Sequence, residues 1–240
     1  MKKLLAVLAI LVSPLALADT GYYLVSIYDV EGQASVDYKY WNAHYNGRTV
    51  AAPEIGIGYG VTSRWYTEVS ASWVKFNGMA NHWEATEWQN DFMLTQGQYP
   101  FDLALHTTIE KARDSSDGYA LEWGPALQTE IGRTQFNANL FLQRDYRVQD
   151  NAEHAAELTY QLQVKHNWKP WLQPGLQAFG EVGKWDNWLP YRQQSHRAGP
   201  MVYGHTDIGR QELKYEFAYL VGRNSARAAK SFAMRAQFIF

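Results

Sequence analysis

Apolar and polar residues alternate along most of this chain. The clearest case is the segment from residue 230 to the end, where every second residue is apolar and most residues between are polar or small. A period of two puts successive side chains on opposite faces, so this segment predicts a β-strand with one apolar face. The apolar face consists of Phe232, Met234, Ala236, Phe238 and Phe240.

The same period recurs upstream. We predict strands at residues 33–41, 51–60, 64–76, 84–95, 101–112, 118–130, 135–146, 154–168, 171–183, 196–206 and 211–222 before the last one. Most have the length of about 10 residues or more that a tilted membrane strand needs. The connections after the second, fourth, sixth, eighth and tenth strands are predicted to be tight, and the others mostly longer. The predicted fold class is all-β, a twelve-stranded antiparallel up-and-down transmembrane β-barrel.

Composition favours this fold over a soluble one. The mean hydropathy is −0.42, so the chain is too polar to consist of membrane helices. Aromatic residues nevertheless make up 15% of it, and it contains no cysteines. The rival is a periplasmic β-sandwich or lipocalin-like barrel, but strands of soluble domains average about 5–6 residues. Tryptophans cluster near both predicted strand ends, as in the aromatic girdles of membrane barrels. They are Trp65, Trp168 and Trp171 at one end, and Trp41, Trp73, Trp83, Trp185 and Trp188 at the other.

The first residues have the features of a secretory signal peptide. Lys2 and Lys3 precede an apolar run, and Ala16-Leu17-Ala18 is a cleavage motif. We therefore predict a signal peptide at 1–18, an N-terminal periplasmic lead-in at 19–32 and an outer-membrane β-barrel at 33–240. Two alternatives stay open for the lead-in: a short strand, or a segment lying at the barrel floor.

With these features the chain resembles bacterial outer-membrane β-barrel proteins. In length and strand count it is similar to the small acidic-sugar porins. The segment from Glu54 to Thr62 and the Gly-Pro strands look like a transporter-like group associated with phenol meta-pathway degradation. The resemblance implies a location in the Gram-negative outer membrane. It also implies that Phe232, Phe238 and Phe240 form the signal that the outer-membrane assembly machinery reads.

Two glycine patterns predict local features of the wall. Gly56, Gly58 and Gly60 share one strand face and are followed by a turn and a strand, so they are not a nucleotide-binding motif. We expect them to leave space inside the barrel or to let the strand bend. Gly124-Pro125 and Gly199-Pro200 interrupt two strands, and because proline cannot donate to the ladder, each predicts a bulge.

Charged residues on the polar face are mainly acidic. The predicted register turns thirteen acids inward against Lys39, Lys165, Lys214 and Arg235. Two interpretations stay open: the charges pair, also with loop arginines, and make a plug, or an acid-biased lumen favours cations. In both interpretations the inner face lacks the row of arginines that an acidic-sugar channel would need. The candidate lumen-lining residues are Glu54, Glu68, Glu87, Asp91, Asp102, His106, Glu110, Glu122, Glu157, Lys165, Lys214, Glu216 and Arg235.

No motif indicates catalysis. Ser195 and His196 are adjacent and so point to opposite faces of a strand, and no spacing of Cys or His indicates a metal site. We predict no enzymatic activity, no cofactor, no metal and no nucleic-acid partner. The expected partners are outer-membrane lipid, the outer-membrane assembly machinery and an unidentified small solute. We expect the protein to be a monomer.

The leading functional hypothesis is passive diffusion of a small hydrophilic or cationic solute through a narrow, acid-rich lumen. One alternative is a closed barrel with a structural or envelope-interaction role. A third is uptake of an apolar solute through a side opening near the Gly-Pro sites.

Overall fold

The structure is a computed structural model that describes residues 22–27, 30–45, 47–77, 80–149, 154–224 and 227–240. The predicted signal peptide and residues 19–21 lie outside these ranges. Within them, no helix is long and apolar enough to cross a membrane. Apart from a short 3₁₀ turn at Ser115–Asp117, all regular structure in the described residues is β.

Twelve long strands and one short one make up the fold. Each predicted strand is present, with ends displaced by a few residues. The strands are β1 Ala34–Tyr45, β2 Arg48–Thr62, β3 Trp65–Phe76, β4 His82–Met93, β5 Asp102–Ala112, β6 Tyr119–Ile131, β7 Thr134–Tyr146, β8 Glu157–His166, β9 Gln173–Lys184, β10 Asn187–Trp188, β11 Ser195–Ile208, β12 Gln211–Asn224 and β13 Arg227–Ile239. β10 is a two-residue extension that pairs only with β9.

The sheet closes on itself. The long strands pair antiparallel with their sequence neighbours, and β13 returns to β1 with Lys39 opposite Arg235. Beyond β13, Phe240 and Ala34 exchange two main-chain hydrogen bonds, each with an N···O distance of 3.0 Å. The predicted closed twelve-stranded antiparallel barrel is confirmed, and closure leaves no unpaired edge, which lipid would not tolerate.

The two faces of the wall are inverted relative to a soluble protein. Large apolar side chains are exposed outside, among them Ile57 at 68% and Leu176 at 58%, whereas Glu68 and Gln161 on the inner face are each 2% exposed. Polar groups therefore make the interior and apolar groups meet the surroundings. This is the arrangement that a lipid-embedded barrel requires.

The Gly-Pro bulges predicted from the sequence are wrong. The β6–β7 register is the same on both sides of Gly124-Pro125, and the β11–β12 register is the same on both sides of Gly199-Pro200. Each glycine lets the facing backbone approach, because a Cβ there would meet the carbonyl oxygen of Leu140 or Tyr219. The ladder therefore absorbs the proline without an extra residue. Register shifts lie elsewhere, between Gly60 and Thr62, Ser72 and Trp73, and Leu158 and Thr159.

The connection after the fourth strand also differs from the prediction. It was expected to be tight, but β4 ends at Met93 and residues 94–101 form a longer turn. Leu94 N–H donates to the Leu103 carbonyl at 2.8 Å, and Gly97 N–H donates to Asp102 Oδ1 at 2.6 Å. Below, the end of the barrel that holds this turn and the end of β13 is called the terminal end. The opposite end, with residues 113–118 and 185–194, is called the loop end.

Candidate functional site: the barrel interior

An N-terminal segment lies inside the barrel. Residues 22–27, called the inner segment here, have no strand pairing, and four of the six are buried. The Val25 N–H donates to Gln161 Oε1 at 2.9 Å, and Asn139 Nδ2 donates to the Val25 carbonyl at 2.9 Å. Amide side chains of the wall thus bind the segment's backbone as a neighbouring strand would. The short-strand alternative for this part of the chain is wrong.

Two apolar clusters hold the ends of the inner segment. In the loop half, Tyr22 and Tyr23 pack with Phe179, Met201, Ala218, Leu220 and Ala233. In the terminal half, Ile27 packs with Met93, Ala104, Ala126 and Phe141. The segment therefore runs along the interior from the loop half to the terminal half. These apolar wall residues were absent from the sequence-based site, although their register positions already faced inward.

A charged network lies beside the segment on β1, β2, β3 and β13. Lys39 Nζ donates to Glu54 Oε1 at 2.8 Å and to Glu68 Oε1 at 2.9 Å. Arg235 Nε donates to Asp37 Oδ2 at 2.7 Å, and its Nη1 lies 3.5 Å from the Leu24 carbonyl oxygen. Each base thus compensates buried carboxylates, and Arg235 also joins the wall to the inner segment.

Two of the three glycines of β2 make room for this network, whereas a Cβ on the third, Gly60, would meet the main-chain carbonyl of Val30. A Cβ on Gly56 would lie 2.5 Å from Glu68 Oε1, and one on Gly58 would meet the Tyr66 hydroxyl. That hydroxyl donates to Glu68 Oε2 at 2.7 Å. The expectation that these glycines leave space inside the barrel agrees with this packing.

A second polar cluster surrounds His106, which is 1% exposed. Its Nδ1 lies 2.6 Å from Asp91 Oδ1, and its Nε2 lies 3.5 Å from Glu122 Oε1. The imidazole centroid is 4.6 Å from that of Phe141, which contacts the inner segment through Ile27. The histidine therefore links two buried acids to the apolar cluster that holds the segment.

Acids without such partners collect at the loop end. Glu87 and Glu110 face each other across β4 and β5, and among the described residues neither has a hydrogen bond or ion pair. Together with Glu54 and Glu84 they line a cavity, called the loop-side cavity, that also contains Trp41, Trp73 and two serines. None of its described lining residues is basic. The described lining thus brings four carboxyl groups together without a base among them.

The terminal end has the opposite character. A cavity of about 200 Å³, called the terminal-side cavity, is lined by Lys165, Lys214, Arg235 and Glu216, by four glutamines and by two tyrosines. Lys165 Nζ lies 3.8 Å from the ring centroid of Tyr203, and Gln163 Nε2 donates to Glu216 Oε2 at 3.1 Å. Leu24 and Ser26 border this cavity too. The inner segment thus lies between an acidic and a largely basic compartment.

Two predicted residues lie apart from these clusters. Asp102 binds the turn at Gly97, and Glu157 is exposed at the start of β8, opposite Lys184. The other predicted acids and bases, together with His106, come together in the interior. The phenylalanines Phe232, Phe238 and Phe240 alternate with the buried Ser231, Ala233, Gln237 and Ile239. They therefore lie on the outer face of β13.

Ser195 and His196 point away from each other. Ser195 Oγ donates to Asn224 Oδ1 at 3.2 Å on the inner face, whereas His196 Nδ1 lies 2.9 Å from the Tyr160 hydroxyl. No nucleophile–base pair forms between them. In the part of the chain that the structure describes, no group of three or more His, Cys, Asp or Glu residues is arranged to hold a metal ion.

Comparisons with known proteins identify the fold. No family model and no curated protein matches the sequence. Among the solved structures with a similar fold is an outer-membrane channel from Pseudomonas putida F1, with a TM-score of 0.59 and 9% identity over 92% of this chain and 98% of that one. The NanC porin has a TM-score of 0.57 and 12% identity over 85% of this chain and 98% of its own. The KdgM porin in complex with disordered oligogalacturonate has a TM-score of 0.57 and 8% identity over the same shares of the two chains. The chain has the fold of bacterial outer-membrane porin-like barrels. Together with its apolar exterior, this places the protein in the outer membrane.

Proposed function

We propose that the protein is an outer-membrane channel for a small hydrophilic or cationic solute, and that the inner segment closes it at rest. The fold is the one that channels of this size use. Twelve strands enclose an interior between that of filled eight-stranded barrels and that of wide porins. Only a narrow path therefore remains beside the inner segment.

The observation that carries the proposal is the loop-side cavity. Glu54, Glu84, Glu87 and Glu110 line it, and none of the described lining residues is basic. Rings of carboxylates in a low-dielectric wall attract cations and repel anions. A solute entering at the loop end thus meets a cation-favouring mouth before it reaches the inner segment.

Planar-bilayer recordings test this proposal. Under a KCl gradient, we expect brief openings whose reversal potential has the sign of cation selectivity. The double variant Glu87→Gln/Glu110→Gln should move the reversal potential toward zero. A matched control is Glu130→Gln, since Glu130 is exposed at the terminal end of β6. An unchanged reversal potential in the double variant would rule out the acidic mouth as the selective element.

One observation favours a second candidate, a permanently closed barrel with a structural or envelope-interaction role. The inner segment occupies part of the middle of the interior and borders a cavity there, and Lys39 and Arg235 pair with wall acids beside it. Such a barrel would stay silent over a wide voltage range while remaining folded. Its working surface would be residues 185–194, where Trp185, Trp188 and Tyr191 are exposed.

Uptake of an apolar solute through a side opening has less support. The Gly-Pro sites were the expected openings, but the strand register is the same before and after both, although the pairs at the Gly-Pro residues themselves are missing on one side. The interior next to them is filled by Phe141 and Leu220, which are fully buried. We therefore keep only the first two candidates.

A further inference from the structure

The contacts of the inner segment are those of a bound ligand. It has no place in the sheet, and its described contacts with the wall are side-chain hydrogen bonds and apolar packing. We propose that the barrel interior is a binding site for an extended peptide, and that residues 22–27 are its built-in, dissociable ligand. This proposal does not depend on whether the barrel conducts.

Recognition of the backbone is the first component of this site. Gln161 Oε1 accepts the N–H of Val25, while Asn139 Nδ2 donates both to the carbonyl of Val25 and to Gln161 Oε1 at 3.0 Å. The Asn139–Gln161 bond fixes the two amides relative to each other. Every non-proline residue carries the same N–H and C=O pair. This contact therefore selects a peptide main chain rather than a particular side chain.

Recognition of side chains is the second component. The Tyr22 ring lies edge-on to Trp41 at 5.0 Å and to Phe179 at 6.1 Å, and the Arg197 guanidinium lies 3.8 Å from its centroid. A cation over a tyrosine face and edge-on aromatic pairs favour an aromatic ligand residue. The loop half thus provides an aromatic pocket.

The second pocket is aliphatic. Ile27 packs in one buried apolar cluster with Met93, Ala104, Ala126 and Phe141. Five residues of extended chain span at most about 17 Å. The ligand class is therefore an extended peptide with an aromatic residue at its start and an aliphatic residue five positions later.

Covalent connection explains why the site is filled by this chain itself. Only six residues separate the segment from β1, and a turn at residues 31–32 precedes the strand, with Gly32 N–H donating to the Gly60 carbonyl at 2.8 Å. A short tether of this kind gives its ligand an effective concentration in the millimolar range. A free peptide will consequently bind only when the built-in segment is weakened.

The test uses the full-length protein in detergent and a labelled, end-blocked peptide with the sequence of residues 22–27, Tyr-Tyr-Leu-Val-Ser-Ile. In the variant Tyr22→Ala/Ile27→Ala, fluorescence anisotropy should show saturable binding at least about tenfold tighter than in the unmodified protein. The same peptide with alanine at its first and last positions should not compete. The control variant is Tyr99→Ala/Ile131→Ala, which removes the same residue types from exposed positions, 61% and 70% exposed. It should behave like the unmodified protein.

Release of the segment is measured separately. The chain has no cysteine, so Ser26→Cys introduces a single thiol at a position that borders the terminal-side cavity. A charged thiol reagent should label it faster when Tyr22→Ala/Ile27→Ala is also present. If labelling is not faster, the segment is a permanent part of the wall and the proposal fails. If labelling is faster but the peptide does not bind, or binds the unmodified protein equally well, the interior is not a peptide site.

Discussion

Glu68 on β3 lies over Gly56 on β2, so close that a Cβ on the glycine would come within 2.5 Å of Glu68 Oε1. Because β2 offers no side chain there, Glu68 reaches across it to Lys39 on β1, with an N···O distance of 2.9 Å. An ion pair thus connects two strands that are not neighbours in the sheet. The glycine acts by leaving space, and its conformational freedom plays no part.

Filling that space should weaken the barrel. Gly56→Ala should push Glu68 away from Lys39 and lower the free energy of unfolding by about 1.5–3 kcal/mol, the usual contribution of a hydrogen bond to a charged group. Gly58→Ala should cost more, because the rigid Tyr66 ring lies over it. Urea unfolding followed by tryptophan fluorescence measures both, with Ile57→Val on the outer face as the control. Equal stability of all three variants would contradict this account.

Arg235 should matter for stability as well as for the potential of the interior. Asp37 is 0% exposed, so Arg235→Ala leaves a buried carboxylate without its base, at a cost of about 3–5 kcal/mol. The double variant Asp37→Asn/Arg235→Met should recover most of the loss, because no unpaired charge remains. Unfolding midpoints of the two variants decide this. Equal loss in the single and double variants would show that packing, and not charge, is what Arg235 provides.

Two inner glutamates should affect selectivity differently. Glu68 is paired with Lys39 and nearly inaccessible, whereas Glu110 is half-buried and lines the loop-side cavity. Glu110→Gln should shift the reversal potential under a KCl gradient, and Glu68→Gln should leave it nearly unchanged. If Glu68→Gln has the larger effect, ions pass beside the Lys39 network instead.

Loss of Phe240 should impair closure of the barrel. Its N–H and carbonyl both bind Ala34 at 3.0 Å, and its ring lies 5.9 Å from that of Phe238 on the outer face. Deleting it should lower the fraction of protein in the outer membrane that shows the heat-modifiable gel shift of a folded barrel. Phe240→Tyr keeps the main-chain bonds and the aromatic ring, so it should insert normally. An undiminished folded fraction after deletion would remove the residue from any role in assembly.

The face on which each charged side chain lies could be predicted, because side chains alternate between the two faces of a strand. Once Ile55 and Ile57 are assigned to the lipid face, Glu54 must face inward, and it does so beside Lys39. Closure of the barrel supports this assignment of faces, since every strand then has one face toward the interior and one toward lipid. Which charges pair could not be predicted, because pairing depends on the exact register between strands. That register places Lys39 opposite Glu54 on the next strand and brings Asp37 and Arg235 together where β13 meets β1.

The position of the inner segment had no comparable signal. Residues 22–27 are apolar on both faces of a hypothetical strand, apart from Ser26, so periodicity assigns them no side. The strands themselves carried the signal that an apolar segment lies inside. Phe141, Phe179 and Leu220 fall on inward positions of otherwise polar faces, and buried apolar groups there require an apolar partner inside.

The Gly-Pro motifs misled for a related reason. Proline lacks the N–H that a ladder needs, so a bulge is the usual solution. Here the preceding glycine allows the facing main chain to come close, and the register is kept. Sequence alone does not reveal how near a neighbouring backbone lies.

The inner segment also bears on how the barrel can be assembled. The β1–β13 pairing is the seam that turns an open sheet into a cylinder, and the segment precedes β1 in the chain by six residues. If the seam zips last, the curling sheet wraps around the segment, which never has to be threaded through a mouth. The apolar clusters around Tyr22 and Ile27 contain residues of strands from β4 to β13. The segment would therefore provide an apolar surface around which these strands assemble.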